Sequence, residues 1–526
     1  MTLPVALHTA AAVRALEARA LAMHGVDGAD GAVLMRRAAA AALAALRAGW
    51  PRARDIVVLC GGGNNGGDGW MLAGLARAAG LSPQVLWTTP PHALRGEAAV
   101  AAAEALAAGV PASAFDATGA APAQLAEADV IVDALLGLGL TQAVRPPIAA
   151  AIAAINAAGR PVLALDLPSG LCADSGRVQG DAVHADVTIT FIVLKAGLRL
   201  GAGPDHAGQV RLDTLGIVDD LGPPAWTLLD AARVRSAIPA RRRDAHKGQG
   251  GHVFVVGGGP GMPGAARLAG EAALRVGAGR VTVACAADSA VAIAAGRPEL
   301  MVRGLSAAPD AAAQQLRAAL AGADVLVVGP GLGRDAWAQA VLAAALDAAK
   351  PTVVDADALH LLHEVGATAQ VAPPRASRIY TPHPGEAAQL LGLTAAAVQA
   401  DRPAALAALV ARLGGVVVLK GAGTLLATSG SVPAVCDRGD PVLAAPGTGD
   451  VLAGAIAGLL AQSGDAARDA SGDAATVAFE AACAAVWLHA RAGERSTNAA
   501  SRGVLAGEIA ARLTDALAEV MGGVQR

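Results

Sequence analysis

The chain has 526 residues, five cysteines and a formal net charge of −3; hydrophobic residues make up 54% of it and aromatic ones 2%. That length calls for two or more domains, each with an aliphatic, finely packed core. The charge balance gives no basic footprint for nucleic acid.

Mean hydropathy is +0.47, yet no run of about 18 apolar residues is free of charges, so segments such as 451–460 read as buried helices and no membrane partner is expected. At the N-terminus Arg14, Glu17 and Arg19 interrupt the alanines, against a signal peptide. Cys60, Cys172, Cys285, Cys436 and Cys483 lie far apart with no C-x-x-C pair, which argues against a zinc site or a disulfide framework and makes a cytoplasmic location the expectation.

From residue 55 onward, apolar runs of strand length alternate with alanine-rich helical stretches, the pattern of βαβ units on parallel sheets. Strands are expected near 55–60, 84–88, 129–133, 161–166, 186–193 and 208–213, with helices such as Glu97 to Ala108 between them. The pattern breaks near 216–250. Gly222-Pro223-Pro224 ends it, and the stretch Arg241-Arg242-Arg243-Asp244-Ala245-His246-Lys247-Gly248 reads as a solvated linker or as a partner-binding patch. After Gly251 strands are expected near 252–256, 280–284, 324–328, 351–355, 378–381 and 416–420, followed by helices over 475–492 and 503–520. Two α/β domains result, 1–220 and 228–526.

In the first half, the strand ending at Cys60 runs into Gly61-Gly62-Gly63-Asn64-Asn65-Gly66-Gly67-Asp68-Gly69, with a helical pattern from Trp70. A glycine turn before a helix lets a ligand approach bare backbone N–H groups, and Gly61, Gly63 and Gly66 satisfy the dinucleotide fingerprint. Two details oppose a redox cofactor site. The second strand ends Leu86-Trp87-Thr88-Thr89 without the acid that binds a ribose, and the Asp68 charge would repel a pyrophosphate. Later strands end in Asp133-Ala134-Leu135-Leu136-Gly137-Leu138-Gly139-Leu140 and Asp166-Leu167-Pro168-Ser169-Gly170. Parallel strands offer ligands their carboxyl ends, so Asn65, Asp68, Asp133, Asp166 and Ser169 should share one crevice. Each Asp could instead cap a helix; together, the oxygens suit a hard cation or proton transfer.

These segments, with Ala185 to Phe191 and Leu194 to Leu198, resemble the NAD(P)H-hydrate epimerase family over roughly 10–218. The resemblance implies a Rossmann-like three-layer αβα domain that interconverts the R and S epimers of hydrated NADH or NADPH. It implies substrate contacts at Asn64, Asn65, Gly66, Gly67, Asp68, Gly137, Leu138, Gly139, Leu140, Thr141, Gln142, Ala143 and Asp166, and a potassium ion held by Asn65, Asp133 and Ser169. Leu138 replaces the small polar residue usual in the family. Asp166 is the first candidate acid/base and Lys195 the second, although Lys195 also fits a surface or structural role.

In the second half, glycine-rich turns follow strands at Gly257 to Ala265 and Val328 to Gly333, and Thr381-Pro382-His383-Pro384-Gly385-Glu386 and Lys420-Gly421-Ala422-Gly423-Thr424 follow two more. Gly447-Thr448-Gly449-Asp450 opens a long apolar helix. Its amides can form an anion hole, with Asp450 taking the proton of an attacking hydroxyl, or the turn can be an ordinary one with an aspartate cap. Lys420 beside open glycine backbone suits a nucleotide phosphate, against a hairpin turn with an exposed lysine. His383, between two prolines, is either structural or a ligand contact. With His246-Lys247-Gly248 and Asp355-Ala356-Asp357-Ala358-Leu359, these segments resemble the ADP-dependent NAD(P)H-hydrate dehydratase family over roughly 228–523.

That resemblance implies a ribokinase-like α/β domain, hydrate contacts at Ala265, Gly331, Gly333, His383 and Asp450, nucleotide contacts at Lys420, Gly421, Ala422, Gly423, Thr424 and Gly449, ADP as co-substrate, and Mg2+. Catalysis falls to Asp450 here and to Asp166 in the first half. Pro446, before the GTGD segment, lacks an N–H that the family commonly has there. NADHX or NADPHX and adenine nucleotide are the expected partners, with a homo-oligomer as the expected assembly. The alternatives are a vitamin-precursor kinase with an accessory domain, a non-catalytic NAD-binding regulator and, disfavoured by the missing ribose acid, a redox dehydrogenase.

Overall fold

The structure, a computed structural model, describes residues 5–24, 31–217, 221–241, 243–366, 377–464, 474–497 and 502–522; Arg242 of the arginine run lies outside them. The chain divides into two compact units, Met1–Thr227 and Leu228–Arg526.

The first unit holds strands β1 (Asp55–Cys60), β2 (Ser82–Trp87), β3 (Ala112–Ala114), β4 (Val130–Ala134), β5 (Val162–Leu165), β6 (Val187–Phe191) and β7 (Gln209–Asp213). They lie in the order β3-β2-β1-β4-β5-β6-β7, every pair parallel. Successive residues of a strand face opposite sides of the sheet. Ile56, Val58 and Cys60 therefore enter one core and Val57 and Leu59 the other, and burial on both faces explains the unbroken apolar run. The edge strand β3 was not legible, because Ala112-Ser113-Ala114 is half-buried to exposed and carries no apolar run.

Sheet order reverses between β1 and β4. The chain leaves their carboxyl ends in opposite directions, which opens a crevice there. Glycine brings the two ends together: Gly61 N donates to Ala134 O at 3.0 Å, and a Cβ on Gly61 would stand 1.9 Å from Leu135 O. The helix that follows begins at Asn64, not near Trp70. Asn64, Asn65 and Asp68 thus sit on its first turns rather than in a loop.

The second unit holds β8 (His252–Val256), β9 (Arg280–Ala286), β10 (Met301–Leu305), β11 (Val325–Val328), β12 (Thr352–Val354), β13 (Arg378–Tyr380), β14 (Val416–Leu419), β15 (Thr424–Ala427) and β16 (Ala434–Cys436). Their order is β16-β15-β14-β13-β12-β11-β8-β9-β10. Pairing is parallel from β14 to β10, and antiparallel for β14–β15 and β15–β16. The sheet is therefore mixed, where the alternation alone predicts a parallel one. Residues 420–423 form the hairpin turn between β14 and β15.

Helix Thr448–Gln462 buries every residue from Val451 to Ala461. Its glycines allow close approach to helix Pro263–Arg275: a Cβ on Gly454 would stand 1.9 Å from Ala269 O, and one on Gly458 2.6 Å from Ala273 O. Burial on all sides accounts for its apolarity. No described helix is long and apolar enough to cross a membrane.

Candidate functional sites

The crevice at the β1–β4 reversal encloses about 650 Å³ and is lined by Asn64, Asn65, Asp68, the Gly137–Ala143 loop and Asp166. Gly66 and Gly67 serve packing. A Cβ on Gly66 would lie 2.1 Å from Gly61 O, and one on Gly67 2.6 Å from Met35 Cε. Arg14 and Glu17, from helix Ala10–His24, also line the crevice. Sequence reading missed them because nothing local connects that helix to the glycine segment.

Asp166 adopts φ +65°, a conformation that Asp tolerates better than most residues. Its Oδ1 accepts hydrogen bonds from Thr190 Oγ1 at 3.2 Å, Phe191 N at 3.3 Å and Lys195 Nζ. Lys195 is not a surface lysine. It is 1% exposed and also donates to Phe191 O at 2.6 Å. Asp68 accepts no hydrogen bond among the described residues. Burial, then the Asp166 and Glu17 charges, push its carboxyl well above the usual range, and Lys195 opposes them.

Beneath the crevice, Asp133 and Ser169 are buried. Ser169 Oγ donates to Asp133 Oδ1 at 2.6 Å, and Ser169 N donates to Asp133 Oδ2 at 2.7 Å. Burial raises the Asp133 carboxyl to about 6 even against these bonds. Asn65 Nδ2 donates to Leu136 O at 2.8 Å, whereas Asn65 Oδ1 is buried with no partner among the described residues. An orphaned amide oxygen near a carboxylate and a hydroxyl leaves a cation-shaped deficit.

In the second unit, Gly447 takes φ +89° and opens helix Thr448–Gln462 without a side-chain cap. Thr448 Oγ1 instead ties back to Leu443 O at 2.8 Å and Ala445 O at 2.9 Å. Thr448 N donates to Ala445 O at 3.4 Å; the amides of Gly449 and Asp450 have no acceptor among the described residues and can meet an anion. Asp450 stands in that turn. Burial first, then the Asp355 charge, raises its carboxyl to about 7, against the pull of Lys420.

Lys420 follows β14 in a hairpin turn, yet its ammonium is not exposed. It lies 2.9 Å from Asp355 Oδ1 and 3.8 Å from Glu386 Oε2. A Cβ on Gly449 would meet Lys420 Nζ at 3.2 Å, so the lysine reaches the GTGD turn. Burial alone would lower the Lys420 pKa; the Asp355, Glu386 and Asp450 carboxylates more than offset this and raise it. Thr381 Oγ1 holds Asp355 Oδ1 at 2.7 Å. Arg402, buried, binds the carbonyls of Leu419, Lys420 and Gly423 at 3.0–3.2 Å and stiffens the 420–424 segment.

Asp355, Glu386 and Arg402 were missed as partners of Lys420, because 18 to 65 residues of chain separate each from it. His383 caps helix Pro384–Leu391: its Nδ1 accepts from Gly385 N at 3.0 Å and Glu386 N at 3.2 Å. Ala265 and Gly331 are neighbours, since a Cβ on Gly331 would lie 3.1 Å from Ala265 Cβ. Gly333 N donates to Asp357 Oδ2 at 2.9 Å. Among the described residues no three His, Cys, Asp or Glu side chains converge as a metal site.

Residues 253–515 match the family described as NAD(P)H-hydrate dehydratase, and residues 31–197 the family described as YjeF-related protein N-terminus. The bifunctional NAD(P)H-hydrate repair enzyme Nnr of Coxiella burnetii is 44% identical over 480 residues, covering 90% of this chain and 93% of that protein. The enzyme of the same description from Escherichia coli is 40% identical over 479 residues, covering 90% and 87%. Among solved structures, an ADP/ATP-dependent NAD(P)H-hydrate dehydratase from Bacillus subtilis, co-crystallised with ATP/Mg2+, is 26% identical with a TM-score of 0.46, covering 55% of this chain and 97% of that one. A ribokinase-like superfamily protein from Enterococcus faecalis is 28% identical with a TM-score of 0.48, covering 58% and 99%. With both halves matched in order and identity of 40% or more over nine-tenths of its length, the chain belongs to the family of bifunctional NAD(P)H-hydrate repair enzymes, which join an epimerase to a nucleotide-dependent dehydratase.

Proposed function

We propose that the crevice of the first unit interconverts R and S NAD(P)HX, and that the Lys420–Asp450 site dehydrates the S epimer at the expense of ADP. The observation that carries the second assignment is an uncapped helix start with a carboxyl raised to about 7 in its first turn. Hydroxide is a poor leaving group at neutral pH, and phosphorylation of the hydroxyl removes that obstacle. Asp450 accepts the hydroxyl proton as the oxygen attacks the β-phosphorus of ADP, and AMP leaves. The amides of Gly447 to Gly449 stabilise the transferring phosphoryl group, and Lys420 offsets its charge. The ring nitrogen lone pair then expels phosphate, and loss of a proton from the adjacent carbon restores the reduced nicotinamide.

Asn65 Oδ1, Asp133 and Ser169 Oγ would hold K+; the unpartnered amide oxygen supports this. A bound cation would fix the β4 end, which carries the Gly137–Ala143 loop. Mg2+ would enter with the nucleotide, and the Asp355 and Glu386 carboxylates fit it only in concert with phosphate oxygens. All five cysteines are free, in keeping with a reducing compartment.

The test mixes the protein with separated R and S NADHX and ADP or ATP and follows the return of reduced nicotinamide absorbance. Recovery from both epimers is expected, with AMP and phosphate formed from ADP. No recovery with either nucleotide overturns the dehydratase assignment, and a stable phosphorylated product would favour a kinase.

A further inference from the structure

We propose that Asp68 is the proton donor of the epimerisation and works opposite Asp166 as the base, so that the ring hydroxyl leaves as water and water returns on the other face. This rests on reading the crevice as the epimerase site.

Three carboxyls line the crevice, Glu17, Asp68 and Asp166, and the surroundings of the two aspartates differ. Asp166 commits one oxygen to three donors, among them the buried Lys195 ammonium, and the residue lines the crevice. Asp68 accepts no hydrogen bond among the described residues, and the Asp166 and Glu17 charges act on it. A carboxyl so placed keeps its proton, and burial pushes it the same way. Lys195 pairs with Asp166, while Glu17 and Arg14 of helix Ala10–His24 line the crevice. Two carboxyls in such different surroundings can divide acid and base roles.

Position supports the division. Asp68 stands on the helix after β1, and Asp166 ends β5, with β4 between them in the sheet. Leu135 to Leu138, from the end of β4, line the wall between them. In the proposal the ring lies in the crevice between Asp68 and Asp166, one carboxyl toward each of its faces.

The step balances. Asp68 gives its proton to the hydroxyl, the carbon–oxygen bond breaks, and the ring nitrogen lone pair forms an iminium as water departs. Water then attacks the opposite face and Asp166 takes its proton. The proton returns to Asp68 through crevice water, or the roles exchange for the reverse direction. No oxidant or co-reactant is needed.

The experiment follows R-to-S and S-to-R conversion by chromatography, without nucleotide, in water enriched in heavy oxygen and across pH. The wild type should incorporate heavy oxygen at the hydrated carbon with each inversion, and its rate should fall as pH rises through the raised Asp68 pKa. Asp68→Asn should slow both directions by about 100-fold or more, abolish that alkaline fall, and keep KM within about 3-fold. Asp68→Glu should restore part of the rate and the alkaline fall, which a packing role would not do. An epimerising wild type with Asp68→Asn near full rate, an unchanged alkaline fall in the slowed variant, or inversion without heavy-oxygen uptake overturns the proposal alone. A wild type that leaves both epimers untouched overturns the epimerase reading and this proposal together.

Discussion

Replacing Asp450 by Asn should stabilise the second unit while it destroys the dehydratase. The Asp450 carboxyl is raised from 3.8 to about 7, first by burial and then by the Asp355 charge. Folding therefore favours its protonated form, and the unfolded chain releases the proton first as pH climbs. Stability is lost as pH rises from about 4 to about 7, and no more is lost above that. At about 1.36 kcal/mol per unit, the charged carboxylate disfavours the folded state by at most about 4 kcal/mol at pH 8, and by about 1.6 kcal/mol at pH 5. Asn has the same shape and never ionises. Its gain over wild type should grow by about 2–3 kcal/mol between pH 5 and pH 8. Hydrogen exchange of peptides from helix Thr448–Gln462 under increasing urea measures this difference within the intact chain. A gain equal at the two pH values, or a loss at pH 8, would refute the claim that the protein holds a strained charge there. Activity with S-NADHX and ADP should fall by several orders of magnitude in the same variant.

Lys420→Met strands the Asp355 and Glu386 carboxylates, since the lysine lies 2.9 and 3.8 Å from them. It should destabilise by about 3–5 kcal/mol at neutral pH and weaken nucleotide binding, measured by denaturation and by titration calorimetry; unchanged nucleotide affinity would remove Lys420 from the phosphate site. Asp166→Ala should strand R-NADHX while S is still dehydrated, and equal loss of both epimers would contradict the division of labour. Asn65→Ala removes the unpartnered amide oxygen, so epimerisation should lose its response to added K+. Gly61→Ala places a methyl 1.9 Å from Leu135 O and should cost several kcal/mol by forcing β1 from β4, seen as a lowered midpoint in thermal denaturation.

Strands buried on both faces were legible because they leave unbroken apolar runs; β1, β4, β8 and β11 are of this kind. Edge strands were not. Met301–Leu305 is largely exposed; Thr424–Ala427, an inner strand between β14 and β16, was missed for another reason, being too short to show a period. The same limit hid the hairpin that carries Lys420. The sequence favoured a phosphate-facing lysine over a hairpin turn with an exposed one; the hairpin is present, and the ion pair that holds its lysine inward depends on Asp355, 65 residues earlier in the chain. Lys195 repeats the lesson, since its bonds to Asp166 and to Phe191 O keep it inside.

The sequence by itself determined the strand–glycine–helix order, the acids and amides at strand ends, and through them the family. These are local: a glycine is required where a Cβ would meet backbone, and a strand end presents whatever follows it. Tertiary structure decided protonation and partnership. Asp68 and Asp166 are the same residue type at the edge of one crevice, and only long-range contacts give one a buried ammonium and the other none. Carboxyl pKa values depend on burial and on charges within a few ångströms, and those neighbours come from segments far away in the chain.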